Sequence, residues 1–125
     1  MKVLTDTHTL VWALSDPDAL GPEARRVLAE ADVVASVANL WELCLKMRRQ
    51  DSLLAEPIPW WKRYVVQARV PALAIRTAHV MALGRLPAIH KDPFDRILVA
   101  QSLVEKRPLV TKDASLARYG ISVIW

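Results

Sequence analysis

Short apolar runs, separated from one another by helical patterns and punctuated by carboxylates, constrain this chain more than any other feature. Val3-Leu4-Thr5 runs straight into Asp6. Val33-Val34-Ala35-Ser36 leads to Glu42, and Leu109-Val110-Thr111 leads to Asp113. Runs this short, apolar and rich in β-branched residues suit buried strands. Strands are therefore expected at Lys2–Thr5, Val33–Ser36, Pro71–Arg76, Leu109–Thr111 and Ser122–Ile124. Strands that alternate with helices imply right-handed βαβ units and a parallel sheet covered on both faces.

The helical stretches carry their own signals. A short helix is expected over Thr9–Leu14, with turn chemistry at Ser15-Asp16-Pro17-Asp18. Gly21-Pro22-Glu23 opens a helix to about Glu30, with Pro at the first helical position and an acid in the first turn. Val37, Leu40, Trp41, Cys44 and Leu45 recur at helical spacing and predict a buried stripe, with Glu42 rotated off it toward a cleft. Pro59–Arg69 reads as a helix with Trp61, Tyr64, Val65 and Ala68 inward, which leaves Trp60 off the stripe as a candidate for a partner interface. Helices are further expected at Thr77–Leu86, capped by Thr77, from Asp92-Pro93-Phe94-Asp95 to about Glu105, and at Ala114–Tyr119.

In an open parallel sheet, ligands bind at the C-terminal ends of the strands. Asp6, Glu42, Asp95 and Asp113 all fall at or just after strand ends or at a helix start, so the topology sends them to one rim. Carboxylates that approach repel and raise one another's pKa unless a cation lies between them. An all-oxygen cluster suits a hard ion such as Mg²⁺ or Mn²⁺. Each acid also has a structural reading. Asp92 is a good N-cap before Pro93, Asp113 can cap Ala114–Tyr119, and Glu42 forms an i,i+4 pair with Lys46. Asp6 has the weakest such reading, because a carboxylate entering a parallel sheet is costly without a partner. Thr7, Ser36 and Thr111 stand beside the acids, where hydroxyls orient ligands or cap helices. His8 is expected to hydrogen-bond at a helix start or pack on the sheet. His79 and His90 have no zinc-type spacing, and no phosphate-cradling glycine loop occurs.

Composition narrows the class. The 125 residues make one domain, and no apolar run is long enough to span a bilayer. No secretory signal is evident at the N-terminus, and the single cysteine, Cys44, fits a reducing cytoplasm and a buried small hydrophobe. The formal charge of +4 beside an acidic rim is what a metal-dependent enzyme acting on a phosphodiester needs. Lys46, Arg96 and Lys112 are the basic residues placed to hold substrate phosphates.

Four segments carry a family resemblance: Asp6-Thr7-His8-Thr9-Leu10-Val11-Trp12, Ser36-Val37-Ala38-Asn39-Leu40-Trp41-Glu42, His90-Lys91-Asp92-Pro93-Phe94-Asp95-Arg96 and Val110-Thr111-Lys112-Asp113. Together they resemble the PIN-domain ribonucleases, and more narrowly the VapC-type toxins of bacterial type II toxin–antitoxin pairs. The resemblance covers the chain from end to end as a single PIN domain, residues 1–125, and departs from the family pattern at Arg49-Gln50-Asp51-Ser52-Leu53-Leu54. It implies a three-layer α/β/α sandwich around a five-stranded parallel sheet. It implies Mg²⁺- or Mn²⁺-dependent cleavage of RNA, with Asp6, Glu42, Asp95 and Asp113 as the acidic quartet. Asp6 and Asp95 would be the main direct ligands, Glu42 and Asp113 would act directly or through water, and Asp92 would be an extra acid. It also implies a cognate antitoxin, a homodimer and a cytoplasmic setting. Two other classes are compatible with the residues alone. One is a receiver-like Mg²⁺ phosphotransfer domain, which Glu42 and Asp95 fit poorly because both lie on helices. The other is a non-catalytic module that keeps the fold and binds RNA or an antitoxin.

Overall fold

Five strands lie side by side in the order β3-β2-β1-β4-β5, every neighbouring pair parallel, in a computed structural model that describes residues 1–125. They are β1 (Lys2–Thr5), β2 (Asp32–Ser36), β3 (Ala72–Leu73), β4 (Leu109–Val110) and β5 (Val123–Ile124). Register places Val3 opposite Val33 and Leu4 opposite both Val34 and Leu109. Successive side chains of a strand point to opposite faces, and the core divides accordingly. Leu4 and Leu109 pack with Leu98 and Leu116 on one face. Val3 and Val110 pack with Leu20, Ala24 and Val27 on the other. A third cluster, Leu10, Ala35, Trp61 and Val65, extends the second layer.

The helices are α1 (Thr7–Ser15), α2 (Pro22–Glu30), α3 (Val37–Lys46), α4 (Pro57–Trp61), α5 (Thr77–Gly84) and α6 (Pro93–Glu105). Short 3₁₀ turns add Pro17–Ala19 and Ala114–Tyr119. Gly120 ends the second of these at φ 85, a left-handed conformation that a residue without Cβ adopts at little cost. No helix is long and apolar enough to cross a membrane.

Several elements differ from the sequence expectation. Helix α1 begins at Thr7 rather than Thr9, because the Asp6 side chain accepts the Thr9 N–H and acts as N-cap. The expected Pro71–Arg76 strand is only Ala72–Leu73, and Pro71, which has no N–H, can serve the ladder only through its carbonyl. The expected Pro59–Arg69 helix starts at Pro57 and, after Trp61, widens into a π-type turn over Lys62–Val66. Ala68 is exposed there, not inward. Trp60 is half-buried against the Leu10 cluster and stacks on Tyr64 at 5.4 Å, so it packs the fold rather than presenting an interface. Helix α5 starts at Thr77, but its cap is the His79 ring, whose Nδ1 accepts the Arg76 N–H at 3.0 Å.

The largest departure is in α3. Its apolar spacing predicts a stripe that faces the core, yet Val37, Trp41 and Leu45 are exposed and Cys44 is only half-buried. The buried face is Ala38, Asn39 and Leu43. Asn39 explains the rotation. Its Oδ1 accepts the Ser36 N–H at 2.9 Å, and its Nδ2 reaches the Thr5 carbonyl and the Thr7 hydroxyl, both at 3.2 Å. A fully satisfied buried amide tethers α3 to the end of β1, and hydrophobic periodicity cannot register that tether.

Candidate active site

The sheet order reverses between β1 and β4. Chains leaving those two adjacent strands part to opposite sides, and the crevice between them is where ligands bind in this architecture. Asp6 leaves β1 there, and Thr111, Lys112 and Asp113 leave β4. The Asp6 N–H donates to the Val110 carbonyl at 3.2 Å. Its carboxylate accepts the Thr9 N–H at 2.9 Å and the Thr111 hydroxyl at 2.5 Å. Asp6 is thus clamped between the α1 N-terminus and β4, and the Thr111 hydroxyl in turn accepts the Asp113 N–H at 3.1 Å.

Glu42 enters the crevice from α3. The Thr7 hydroxyl donates to its Oε1 at 2.5 Å, and Lys46 Nζ stands 2.7 Å from Oε2. That contact raises the Lys46 pKa, chiefly through the hydrogen bond to Glu42.

Helix α6 brings the next two acids. Asp92 is its N-cap, accepting the Phe94 N–H at 2.8 Å and the Asp95 N–H at 3.1 Å. Asp95, one turn in, faces the crevice. Burial pushes its carboxyl up to about 7, and the charges of Asp92, Asp6 and Glu42 add to the rise, with His90 opposing. Its nearest basic group is His90 Nε2, at 3.7 Å. Thr111 ties Asp6 to the end of β4, Thr7 ties Glu42 to the start of α1, Asp92 caps the turn that carries Asp95, and His90 lies between Asp95 and Asp113, so these acids line one rim.

Asp113 behaves in the opposite way. Its Oδ1 accepts both the Ser115 N–H at 3.0 Å and the Ser115 hydroxyl at 2.5 Å, and these bonds hold its carboxyl below the ordinary range. Its Oδ2 lies 3.0 Å from His90 Nε2. The ring's other nitrogen, Nδ1, accepts the Asp92 N–H at 3.2 Å. A neutral imidazole that accepts at Nδ1 carries its proton at Nε2, so His90 is a donor to Asp113. One ligand atom each from His90, Asp95 and Asp113 fall within 4.8 Å of one another, close enough to surround an ion. With Nε2 protonated, however, His90 offers no lone pair to it, and the carboxylates form the better donor set.

The sequence does not single out His90, because its partner is an acid 23 residues away rather than a histidine or cysteine at metal-ligand spacing. Its place is fixed by the Tyr119 hydroxyl, which accepts the His90 N–H at 2.8 Å and the Arg96 guanidinium at 3.2 Å. Asn39 escapes sequence reasoning too, although Ser36-x-x-Asn39 has the spacing of a capping box and closes as one.

The three basic residues expected at phosphates differ in commitment. Lys46 is paired to Glu42. Arg96 donates to the Pro87 carbonyl at 2.9 Å and to Tyr119, and so braces the loop before α6. Lys112 is exposed, next to Asp113, and makes no ion pair. It lines a cleft of about 390 Å³ together with Asp6, His8, Thr9, Trp12 and Asp113. A smaller cleft of about 100 Å³, on the other side of Thr7 and His8, reaches Glu42, Lys46 and Asp51.

The PIN domain family model matches residues 3–121. The chain is 29% identical over 116 residues to Ribonuclease VapC22 of Mycobacterium tuberculosis, covering 91% of this chain and 88% of that protein. The fold is similar to that in the crystal structure of VapBC2 from Rickettsia felis bound to a DNA fragment from their promoter. There the TM-score is 0.70 at 13% identity, over 98% of this chain and 97% of the other. It is similar as well to FitAcB from Neisseria gonorrhoeae, with a TM-score of 0.69 at 14% identity, over 98% and 96% of the two chains.

Proposed function

The chain belongs to the PIN-domain family, and from that premise we propose that it is a metal-dependent endoribonuclease acting as the toxin of a toxin–antitoxin pair. The relative named a ribonuclease supports RNA as the substrate. The observation that carries the catalytic reading is the state of Asp95. Its carboxyl is raised to about 7, first by burial and then by the charges of Asp92, Asp6 and Glu42, and a carboxyl so perturbed in a cleft lined by other acids is the mark of a functional site.

The donor chemistry fits a hard divalent ion. Asp6 and Asp95 would hold Mg²⁺ or Mn²⁺ directly, Glu42 and Asp113 would complete the site directly or through water, and Asp92 would add charge from the cap of α6. A bound ion supplies Lewis acidity for the attack of water on phosphorus and for charge on the departing oxygen.

The chain's own residues do the positioning. Thr111 and the Thr9 N–H fix the plane of the Asp6 carboxylate. Thr7 fixes Glu42. His90 and Ser115 aim Asp113 and keep it ionised. Lys112 is free to hold a substrate phosphate, which contributes affinity without sequence choice. The exposed apolar residues Val37, Trp41 and Leu45 of α3 are the surface we assign to a protein partner, either an antitoxin or a second copy. A cytoplasmic setting belongs to this reading.

Incubation of the purified protein with single-stranded RNA and Mg²⁺ or Mn²⁺ tests it. Cleavage that EDTA abolishes, and that Asp6→Asn and Asp95→Asn both lose, is the expected result. RNA left intact under all metals, or cut equally well by Asp95→Asn, overturns it.

A further inference from the structure

The cleft of about 390 Å³ shares Asp6 and Asp113 with the group of acids, and its other walls are of a different chemistry. His8 and Trp12 stand one turn apart on α1, with ring centroids 5.5 Å apart and planes at 61°. Trp125 backs Trp12 at 6.2 Å, so the indole is braced from behind. His8 is exposed, although it follows the rim residues Asp6 and Thr7 directly. Lys112 lines the same cleft, and of the three basic residues Lys46, Arg96 and Lys112 it alone has no hydrogen-bond or ion-pair partner within the fold.

We propose that this cleft is the subsite for a single unstacked nucleotide next to the scissile phosphate, with His8 and Trp12 taking the base and Lys112 the adjoining phosphate. The proposal rests on the ribonuclease reading and adds to it a direction for the substrate: the strand leaves the acids along α1, toward Trp12. Three observations support it. A volume of about 390 Å³ is in the range of small-ligand clefts. Aromatic rings beside a free cation form the ordinary platform for single-stranded nucleic acid, because every base has a π-face and every nucleotide a phosphate. The cleft also shares Asp6 and Asp113 with the acid pocket, so a nucleotide in it sits one phosphate from the chemistry.

The test uses the full-length Asp95→Asn protein in Mg²⁺ and fluorescently labelled single-stranded octaribonucleotides in which one abasic residue is walked along the chain. Binding is read by anisotropy. The expected result is one position at which loss of the base weakens binding about 5- to 10-fold, the low end for stacking on an aromatic side chain. At that same position, His8→Ala and Trp12→Leu proteins should show less than about a 2-fold difference between intact and abasic RNA. His8 is exposed, so His8→Ala should melt with the parent and decides the matter even if Trp12→Leu fails to fold. RNA that binds with a flat abasic profile overturns the subsite and leaves the ribonuclease reading standing. Loss of binding only on Lys112→Ala, with no base dependence, overturns the stacking platform as well. Failure of any single-stranded RNA to bind overturns both readings.

Discussion

The walls and the floor of the acid crevice are built on opposite principles. On the walls, each carboxylate is matched by the protein itself. Glu42 has Lys46 and Thr7, and Asp113 has Ser115 and His90. Those bonds keep Asp113 ionised. On the floor, Asp95 is half-buried beside Asp92, Asp6 and Glu42, and its nearest basic group is an imidazole at 3.7 Å. The walls are set by folding alone, and the floor stores repulsion that a divalent ion would relieve. Side chains on the walls should therefore respond to mutation mainly through geometry and stability, and those on the floor mainly through metal affinity and rate.

The largest expected effect breaks the floor. Asp95→Asn should lower metal-dependent RNA cleavage by at least about 1000-fold, since a Lewis-acid site is worth several kcal/mol of transition-state stabilisation. The same change should stabilise the metal-free protein. Between the ordinary carboxyl pKa near 3.8 and the raised value of about 7, the folded state binds a proton that the unfolded state has released. Stability therefore falls as pH rises through that window and levels off above it. Thermal denaturation in EDTA should show wild type and Asp95→Asn alike near the acid end of the window, with the variant increasingly the more stable toward pH 8. A constant gap at all pH values would mean that Asp95 carries an ordinary charge. Asp113 has the opposite sign. Its depressed pKa adds stability at neutral pH that is lost only as pH falls through the depressed value.

The second prediction sharpens the contrast at the walls. Asn39→Ala should cost about 2–3 kcal/mol of stability, because the Ser36 N–H and the Thr5 carbonyl lose a buried partner. Chemical denaturation measures it. A cost under about 0.5 kcal/mol would mean that the tether does not fix α3.

How much is legible in the sequence follows the same division. The floor and the topology are readable, because strand ends and helix starts are local signals. Asp6 after Val3-Leu4-Thr5 and Asp95 after Asp92-Pro93-Phe94 declare their places from short windows. The sheet and its five parallel strands follow from the alternation of elements. The walls are not readable to the same degree, because their partners are distant in sequence. Thr111 reaches Asp6 across 105 residues, Thr7 reaches Glu42 across 35, and His90 reaches Asp113 across 23. The orientation of α3 is hidden for a related reason. Apolar spacing alone assigns Asn39 to the solvent side, whereas its amide spends every group on backbone and side-chain partners inside the fold. The outward Val37, Trp41 and Leu45 then form an apolar surface, although their periodicity points to the core.

A third, smaller effect tests whether His90 belongs to the walls. His90→Ala removes the Nε2 donor to Asp113. Residues that orient a metal ligand are typically worth 10- to 100-fold. Asp113 keeps both Ser115 bonds, so about a 10-fold loss in kcat is expected at the low end of that range, with KM and thermal stability near the parent's. An unchanged kcat in His90→Ala would show that Ser115 alone positions Asp113.

The smallest effect is expected at Asp92, which sits at the boundary between wall and floor. Its Oδ1 caps α6 through the Phe94 and Asp95 N–H groups, a role that asparagine fills about as well. Asp92→Asn should therefore change stability by less than about 0.5 kcal/mol through the cap itself. It also removes the largest of the neighbouring charges that raise the Asp95 pKa. Asp95 should then ionise at lower pH, and the pH-dependent loss of stability in EDTA should shift in the acid direction without changing sign. Metal affinity receives two opposed contributions. One negative charge fewer attracts the cation less, while Asp95 gives up its proton more readily. Because the two oppose each other, the net change in cleavage at neutral pH should stay within a few-fold. Isothermal titration with Mn²⁺ on either side of the raised Asp95 pKa of about 7 separates them. The variant should lose less affinity on the acid side, where deprotonating Asp95 still opposes binding, than on the alkaline side, where it does not. Equal losses on the two sides would place Asp92 among the direct ligands, and the floor of the crevice would then extend to the cap of α6.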